Sequence, residues 1–487
     1  MEQHEALDLQ DLRLSVSHAL DIIDADSSIV DAEVCASWCE QQIGPILYDT
    51  EHPAEVGQRP QSQTTLGIGI LIVTDHQDGR QLGFGSEHQD LSPDGIKEAL
   101  EHAKANALHA PFFKALPRPQ QQQERLTFHD YDTLQLPLDD IAGLSSEALD
   151  GALSTLRNAG FVTHLHVQGQ VMSRKEHLMV GNTQGILAGE TSTGLIARLR
   201  TRLIQEESQG TGHCIATHLQ DFSPYDAGVE AAQRALQMRQ GIQLESRDYP
   251  VVFAPEAMAA LVHDALIPAL SLDTVATGLS PFASAYGHLV ASTLLNLSDE
   301  GHLPRRLGSR AMTGEGLPTG TTPLIASGQL IGFLSNAYHA QAHSNQLTKV
   351  VPRNGMRHAL HQQSYAMRAG IFPTNVVIQG NDTMALDDLL EPIDDGVYIG
   401  GLWGTTPQGA PQHGNLLSTV IGPSFHIRKG KLDRPLRNGT MRLQINLQRL
   451  LQDITGIATD ERQVASPTLQ SLVLTPAVRC RLVRLAE

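Results

Sequence analysis

Apolar and polar positions alternate at helical spacing along residues 11–42, which predicts one or two helices. The next segment changes period. TTLGIGILIVTDHQDGRQLGFGS, residues 64–86, holds two β-rich runs on either side of HQDG, the signal of a hairpin. LSPDGIKEALEHAKANAL then returns to the helical period. Ser92 is placed to cap, Pro93 suits the first helical position, and Ile96, Ala99, Leu100, Ala103 and Ala107 form one apolar stripe. This order predicts a helix packed on a sheet.

ALPRPQQQQERL, residues 115–126, is rich in Pro and Gln and reads as a linker. A second unit opens with the helix LSSEALDGALSTLRNAG, ended by Gly160. It continues through the strands FVTHLHVQGQVMS, EHLMVGNTQGILAGET and TGLIARLRTRLI, and closes with the helix DAGVEAAQRALQMRQG. A third unit has early helices and then Gly-punctuated apolar runs such as TPLIASGQLIGFLSN. The expected class is α+β: N-terminal α/β units with an antiparallel sheet and packed helices, followed by a strand-rich C-terminal domain. The expected boundaries are 1–115 for an N-terminal domain, 125–245 for a middle domain continuous with the first, and 246–487 for the C-terminal domain.

Composition narrows the function. The 487 residues are 41% hydrophobic but only 4% aromatic, so the core is expected to be aliphatic. A formal charge of -18 repels phosphate. The longest basic run, IRKGKLDRPLR at 427–437, is broken by Gly, Pro and Asp, so no nucleic-acid partner is expected. The four cysteines show no zinc-finger spacing; Cys35 and Cys39 stand one helical turn apart, and all four are expected as reduced thiols. The acidic start MEQHEALDLQDLRLS lacks an apolar signal core, and LGIGILIV is too short to span a bilayer. A cytoplasmic protein with no membrane partner is expected.

The candidate chemistry centres on FAPEAMAALVHDALIPAL, residues 253–270. Pro255 and Glu256 suit a helix start. His263 is followed by an acid, Asp264, as in a zinc-peptidase helix. Two metal-binding His on a helix normally share a face four residues apart. The positions three and four from His263 are Ala259, Ala260, Leu266 and Ile267, none of which can ligate, and Pro268 should kink or end the helix. No metal is therefore expected on this chain. Other histidines offer weaker sites. His164 and His166 fall two apart on a strand; His339 and His343 lie one turn apart; His358 and His361 are three apart and could join them with a carboxylate such as Asp382. The Gly pair of LGIGIL lies inside a strand-like run, unlike a dinucleotide loop, and no nucleophile elbow or phosphate-binding loop occurs.

Four blocks, in order, carry a resemblance. The first is LGIGILIVTDHQDGRQLGFGSEHQDLSPDGIKEALEHA, with Gly67, Gly69, Gly83, Phe84, Leu91, Ser92 and Pro93. The second is LMVGNTQGILAGETSTGLIARL, with Asn182 and Gly185 at a strand turn. The third and most specific is LPRRLGSRAMTGEGLPTGTTPLIASGQLIGFLSN, with Gly308, Ser309, Glu315, Gly316, Pro318 and Thr319 among the matching positions. The last is IRKGKLDRPLRNGTMRLQINLQRLLQDITGIATD. Over nearly its whole length the chain resembles the TldD/PmbA family of bacterial peptide-processing proteins, historically called modulators of DNA gyrase.

The resemblance implies a two-subunit assembly enclosing a cavity for unfolded peptide. One subunit, TldD, is a zinc peptidase with a His-Glu-x-x-x-His helix and a late Cys ligand; the other, TldE or PmbA, keeps the fold without the ligands. In this chain His263 stands at the first His, Asp264 replaces Glu and Pro268 replaces the second His. The chain therefore resembles the metal-free side, with zinc expected only on a TldD-like partner. The Gly-rich run from Gly308 to Gly332 is the candidate for close approach to an extended peptide. Two departures stand out: Thr313-Gly314 replaces the usual acidic pair, and residues 339–372, rich in His, Gln and Arg, look rewritten. Other expectations stay open: a homodimer that binds peptide without cleavage, and an independent hydrolase using His339, His343, His358 or His361.

Overall fold

Asp8 opens the first helix, α1 (Leu9–Asp24), by accepting the backbone N–H groups of Gln10 and Asp11, while Asp11 reaches back to the Asp8 N–H. The computed structural model describes residues 8–51, 59–77, 79–120, 127–343, 350–357, 364–465 and 471–487. In chain order β1 (Asp31–Asp49), β2 (Gln61–His76), β3 (Gly79–His88), α2 (Pro93–Ala105) and β4 (Leu108–His109) follow. After the Pro/Gln segment come α3 (Tyr131–Leu134), α4 (Leu138–Asn158), β5 (Leu165–Asn182), β6 (Leu187–Leu203), β7 (Ser208–Ala216) and α5 (Pro224–Gln237). The seven strands form one sheet in the order β4-β3-β2-β1-β5-β6-β7, with β1 paired antiparallel to both β2 and β5. Residues on both sides of the Pro/Gln segment thus share one sheet.

Three local expectations are corrected. Residues 31–42 are strand, not helix. Positions 31–39 are all buried, and a strand buried on both faces cannot be told from a helix by period alone. Cys35 and Cys39 therefore share a sheet face rather than a helical one, and burial pushes both thiols upward, Cys35 to about 11. The three strands expected over 161–204 are two long ones joined by a turn in which Gly185 takes φ +98. His164 precedes β5 with φ +57 and bonds Glu51 through Nδ1 (2.6 Å), so it is no partner for His166.

One face of this sheet is covered by helices. α1 and α2 bury Leu12, Val16, Ile96 and Leu100 against Ile68, Ile70 and Ile72, while α4 and α5 bury Ile141, Ala148 and Ala231 against Val167, Val171 and Leu199. Ser92 caps α2 and Pro93 starts it, as the sequence predicts.

The C-terminal half runs through β8 (Arg247–Phe253), α6 (Pro255–Leu261), α7 (Ile267–Ala269), α8 (Leu272–Ala276), β9 (Leu295–Glu300), β10 (Thr321–Ala326) and β11 (Gln329–Leu330). It continues with α9 (Ala337–Ala342), β12 (Gly355–Met356), β13 (Gly370–Ile371), β14 (Asn375–Gly380), α10 (Leu386–Leu390) and β15 (Asp395–Ile399). Then come β16 (Gly401–Pro407), β17 (Asn415–Ile421), β18 (Phe425–Arg428), β19 (Lys431–Pro435), β20 (Arg442–Asn446), α11 (Leu447–Gln452), β21 (Ile454–Ala465) and β22 (Leu472–Ala486). Among the described residues, thirteen of these strands form a mixed sheet built along β11-β10-β9-β14-β22-β8-β15-β18-β19. The fold is α+β, with the strand-rich C-terminal domain that the pattern predicts. Among the described residues no helix is long and apolar enough to cross a membrane.

The C-terminal domain docks on the uncovered face of the first sheet. Gly69, opposite Cys35 in the β1–β2 ladder, allows the closest approach: a Cβ there would lie 1.9 Å from the Tyr365 carbonyl oxygen. Gly69→Ala is expected to lower the unfolding free energy by about 1–3 kcal/mol. Gly143→Ala, on an open face of α4 with nothing within 4 Å, should instead raise it by up to ~1 kcal/mol. Urea midpoints of the two variants check the pair.

Candidate functional site

The helix that begins at Pro255 is not regular. α6 runs to Leu261, a π-helical turn follows over Val262–Leu266, and α7 resumes at Ile267. The Ile267 N–H donates to the Val262 carbonyl, five residues back. Such a turn carries the residue five positions on, Pro268, nearer to the His263 face than a straight helix would. In a straight helix the Pro268 ring would strike a carbonyl one turn earlier; the widened turn relieves that clash, and the helix ends two residues later at Leu270. His263 Nε2 is buried with no hydrogen-bond partner, and burial pushes the imidazole down to about 4, so it is neutral. Asp264 and Pro268 are exposed.

A second constellation lies where the two domains meet. On β1 and β5, Glu33 and Glu176 face the C-terminal domain. Arg357 bonds Glu33 and donates to the Gly314 carbonyl at 2.7 Å. Ser364 Oγ donates to Glu176 at 2.6 Å, and Arg174 pairs with the same carboxylate at 3.0 Å. Glu190 accepts the Ala311 N–H at 2.8 Å near Arg310, yet burial lifts it to about 7. Beside this network is a cavity of about 690 Å³, walled by Phe84, Phe113, Leu116 and Tyr338, with Glu33, Glu315 and Arg368 on its lining.

The segment singled out for peptide contact is tied to its own chain. Gly308 donates to Asn375 Oδ1 at 3.1 Å, and a Cβ there would lie 2.1 Å from the Thr374 carbonyl oxygen. Ser309 Oγ donates to Leu303 O at 2.6 Å and accepts from Asn375 at 2.9 Å. Glu315 accepts the Ala337 N–H, and Thr319 donates to the Arg310 carbonyl. Gly316 takes φ +75 and Pro318 is half-buried. Gly308, Ser309, Glu315 and Thr319 are buried, so the close approach expected of this run is to β14 and α9 rather than to an open edge.

Residues 246–487 match the family described as PmbA/TldA metallopeptidase C-terminal domain. The chain belongs to the TldD/PmbA family. It is 24% identical over 396 residues to the "Metalloprotease TldD homolog" of Buchnera aphidicola subsp. Schizaphis graminum, covering 77% of this chain and 76% of that one. It is 24% identical over 240 residues to the "Metalloprotease PmbA homolog" of Buchnera aphidicola subsp. Acyrthosiphon pisum, spanning about half of each (49% and 48%). The crystal structure of TldE from Thermococcus kodakarensis superposes with a TM-score of 0.80 at 20% identity, covering 97% of this chain and 100% of that one, and shares the fold.

Whether a zinc ion fits this chain depends on the donors around His263. Zinc takes four ligands, three of them usually from the protein at a catalytic site. His263 offers one. Pro268, five residues on, has no donor, and among the described residues no three His, Cys, Asp or Glu side chains converge. Cys480 lies on β22 opposite Val251, with its thiol toward the Leu450 carbonyl and pushed far upward by burial. These residues do not fit zinc. Of the other histidines, His339 is held to Asn336 Oδ1 through Nδ1 (2.9 Å), His343 follows α9, and His358 and His361 lie outside the described residues. Asp382 is exposed beyond β14. Glu33, Glu176, Glu190 and Arg357 were not legible as a cluster. The three glutamates lie on strands and come together only once register is known, and Arg357 lies in a loop.

Proposed function

We propose that this chain is the metal-free, TldE/PmbA-like subunit of a cytosolic TldD-type metallopeptidase complex. It completes the chamber and holds extended peptide, while a zinc-bearing subunit cleaves. The observation carrying this reading is that His263 has no second ligand on its helix: five residues on, across the π turn, stands Pro268, an imino acid. A single imidazole with no second ligand on its helix cannot hold the ion that would turn water into hydroxide. The segment 308–319 contributes by bracing the domain junction through Gly308, Ser309, Glu315 and Thr319 rather than by offering a strand edge. Peptide trimming or degradation then belongs to the assembly.

Co-expression with a TldD homologue from the same genome tests the reading. The expected result is a stable hetero-assembly with zinc stoichiometric to the partner, cleaving unfolded peptide. His263→Ala in this chain should leave that cleavage unchanged. Chelator-sensitive cleavage by the pure chain, or a homodimer that adds nothing to the partner's cleavage, would sink it.

A further inference from the structure

Among the described residues, the C-terminal domain covers only part of the first sheet's inner face. The register places Ile43, Met172, Ile196 and Ile215 in one row across β1, β5, β6 and β7. That row packs under Leu307 and Leu474 and ends the apolar junction. Beyond it lie three further rows. The first is Pro45, Gln170, Arg198 and His213; the second is Leu47, Gln168, Arg200 and Thr211; the third is Asp49, His166, Arg202 and Gln209. The other face of these strands is sealed by α4 and α5.

Arg198, Arg200 and Arg202 are all exposed, and among the described residues none has an ion pair. The only cause shifting Arg198 is its own desolvation, with no carboxylate acting on it. Arg306 adds a fourth guanidinium without an ion pair among the described residues. It lines a cleft of about 270 Å³ together with His213, the residue facing Arg198 across the ladder, and Glu461. Asp49 is two strands away from Arg202. Among the described residues, a chain with a formal charge of -18 thus gathers an excess of cations on a sheet face that no helix or strand covers. The patch is hidden in the sequence, because ARLRTR alternates and forms no basic run.

Successive arginines on one face of a strand stand about 6.6 Å apart. An extended peptide repeats its side chains at the same interval. We propose that this uncovered half of the sheet face binds extended acidic peptide segments, with Arg198, Arg200 and Arg202 meeting carboxylates at alternate positions. The inference rests on the peptide-holding reading above and names the class of peptide. Peptide is favoured over nucleic acid because the acidic balance of the whole chain repels a phosphate polymer at long range, and because no Phe, Tyr or Trp stands in these rows for base stacking.

The test is fluorescence anisotropy of the full-length chain at low salt, using labelled peptides of alternating Glu and Ser or of alternating Gln and Ser. The Glu peptide should bind about tenfold more tightly, as expected for a few exposed ion pairs, and added salt should erase the difference. The variant Arg200→Glu with Arg202→Glu, its fold checked by thermal melting, should lose the preference; Arg200→Lys with Arg202→Lys should keep most of it. Equal binding of both peptides, a preference that survives the charge reversal, or tighter binding of a single-stranded oligodeoxynucleotide would overturn the proposal. A chain that assembles with the zinc-bearing subunit but lacks the preference sinks this inference alone. A chain that prefers the Glu peptide but never assembles sinks the chamber reading alone.

Discussion

Arg357→Met should lower the unfolding free energy by about 3–5 kcal/mol, the range for breaking a buried ion pair from one side. The Arg357 and Glu33 side chains are only 2% and 4% exposed. Burial already pushes the Glu33 carboxyl upward, and Arg357 is the main group opposing it. Removing the guanidinium leaves Glu33 to ionise in apolar surroundings or to take up a proton. It also frees the carbonyls of Gly314 and Met367, which Arg357 ties to β1. The loss therefore combines charge, hydrogen bonding and domain docking. Adding Glu33→Gln to the same chain should restore part of it, because the stranded charge disappears. Urea denaturation of the two single variants and the double variant measures the coupling. A loss below ~1 kcal/mol for Arg357→Met, or additive effects of the two changes, would show that the pair does not hold the junction.

The sequence carried this architecture unevenly. The helix at Ser92–Pro93 is legible because its cap, its first-turn proline and its stripe are all local. The hairpin of β2 and β3 is legible for the same reason. β1 is not, because both its faces are buried and its apolar run fits either period. The helix at Pro255 shows a middle case. His263, Asp264 and Pro268 can be read as a broken ligand pattern, but the backbone widening of one turn between them has no local signal. The buried network of Glu33, Glu176, Glu190, Arg357 and Arg310 was invisible, since its members come from β1, β5, β6 and two loops. The Arg198–Arg202 stripe is an instructive miss. Alternation is the strand signal, so the arginines could have been assigned to one face, but only the docked C-terminal domain shows which rows stay open.

Glu315 should make the protein less stable as the pH rises from about 6 to about 8.5. Burial raises this carboxyl to about 8, with the neighbouring Glu33 charge adding to the effect, while the Ala337 N–H and Arg357 oppose it. The unfolded chain releases the proton near 4.5, the model-peptide range. Between those values the native state holds a proton that the unfolded state has lost. Stability then falls with each step up in pH and flattens only above the folded value. From about pH 6 to about pH 8.5 the Glu315 share is about 2–3 kcal/mol. Glu190 and Asp299, each raised by burial to about 7, slope the same way over the lower part of the window. A carboxyl held low by a lysine, such as Asp26 by Lys104, loses its contribution only at acid pH and leaves this window untouched. Glu315→Gln keeps an oxygen for the Ala337 N–H and has no proton to lose, so its urea midpoint should change less between the two pH values. A parent chain equally stable at both, or a Gln variant with the full slope, would mean that Glu315 is ionised in the fold. The docking of α9 on that carboxyl would then need another cation beside it, and Arg368, across the same cavity, is the group placed to supply one.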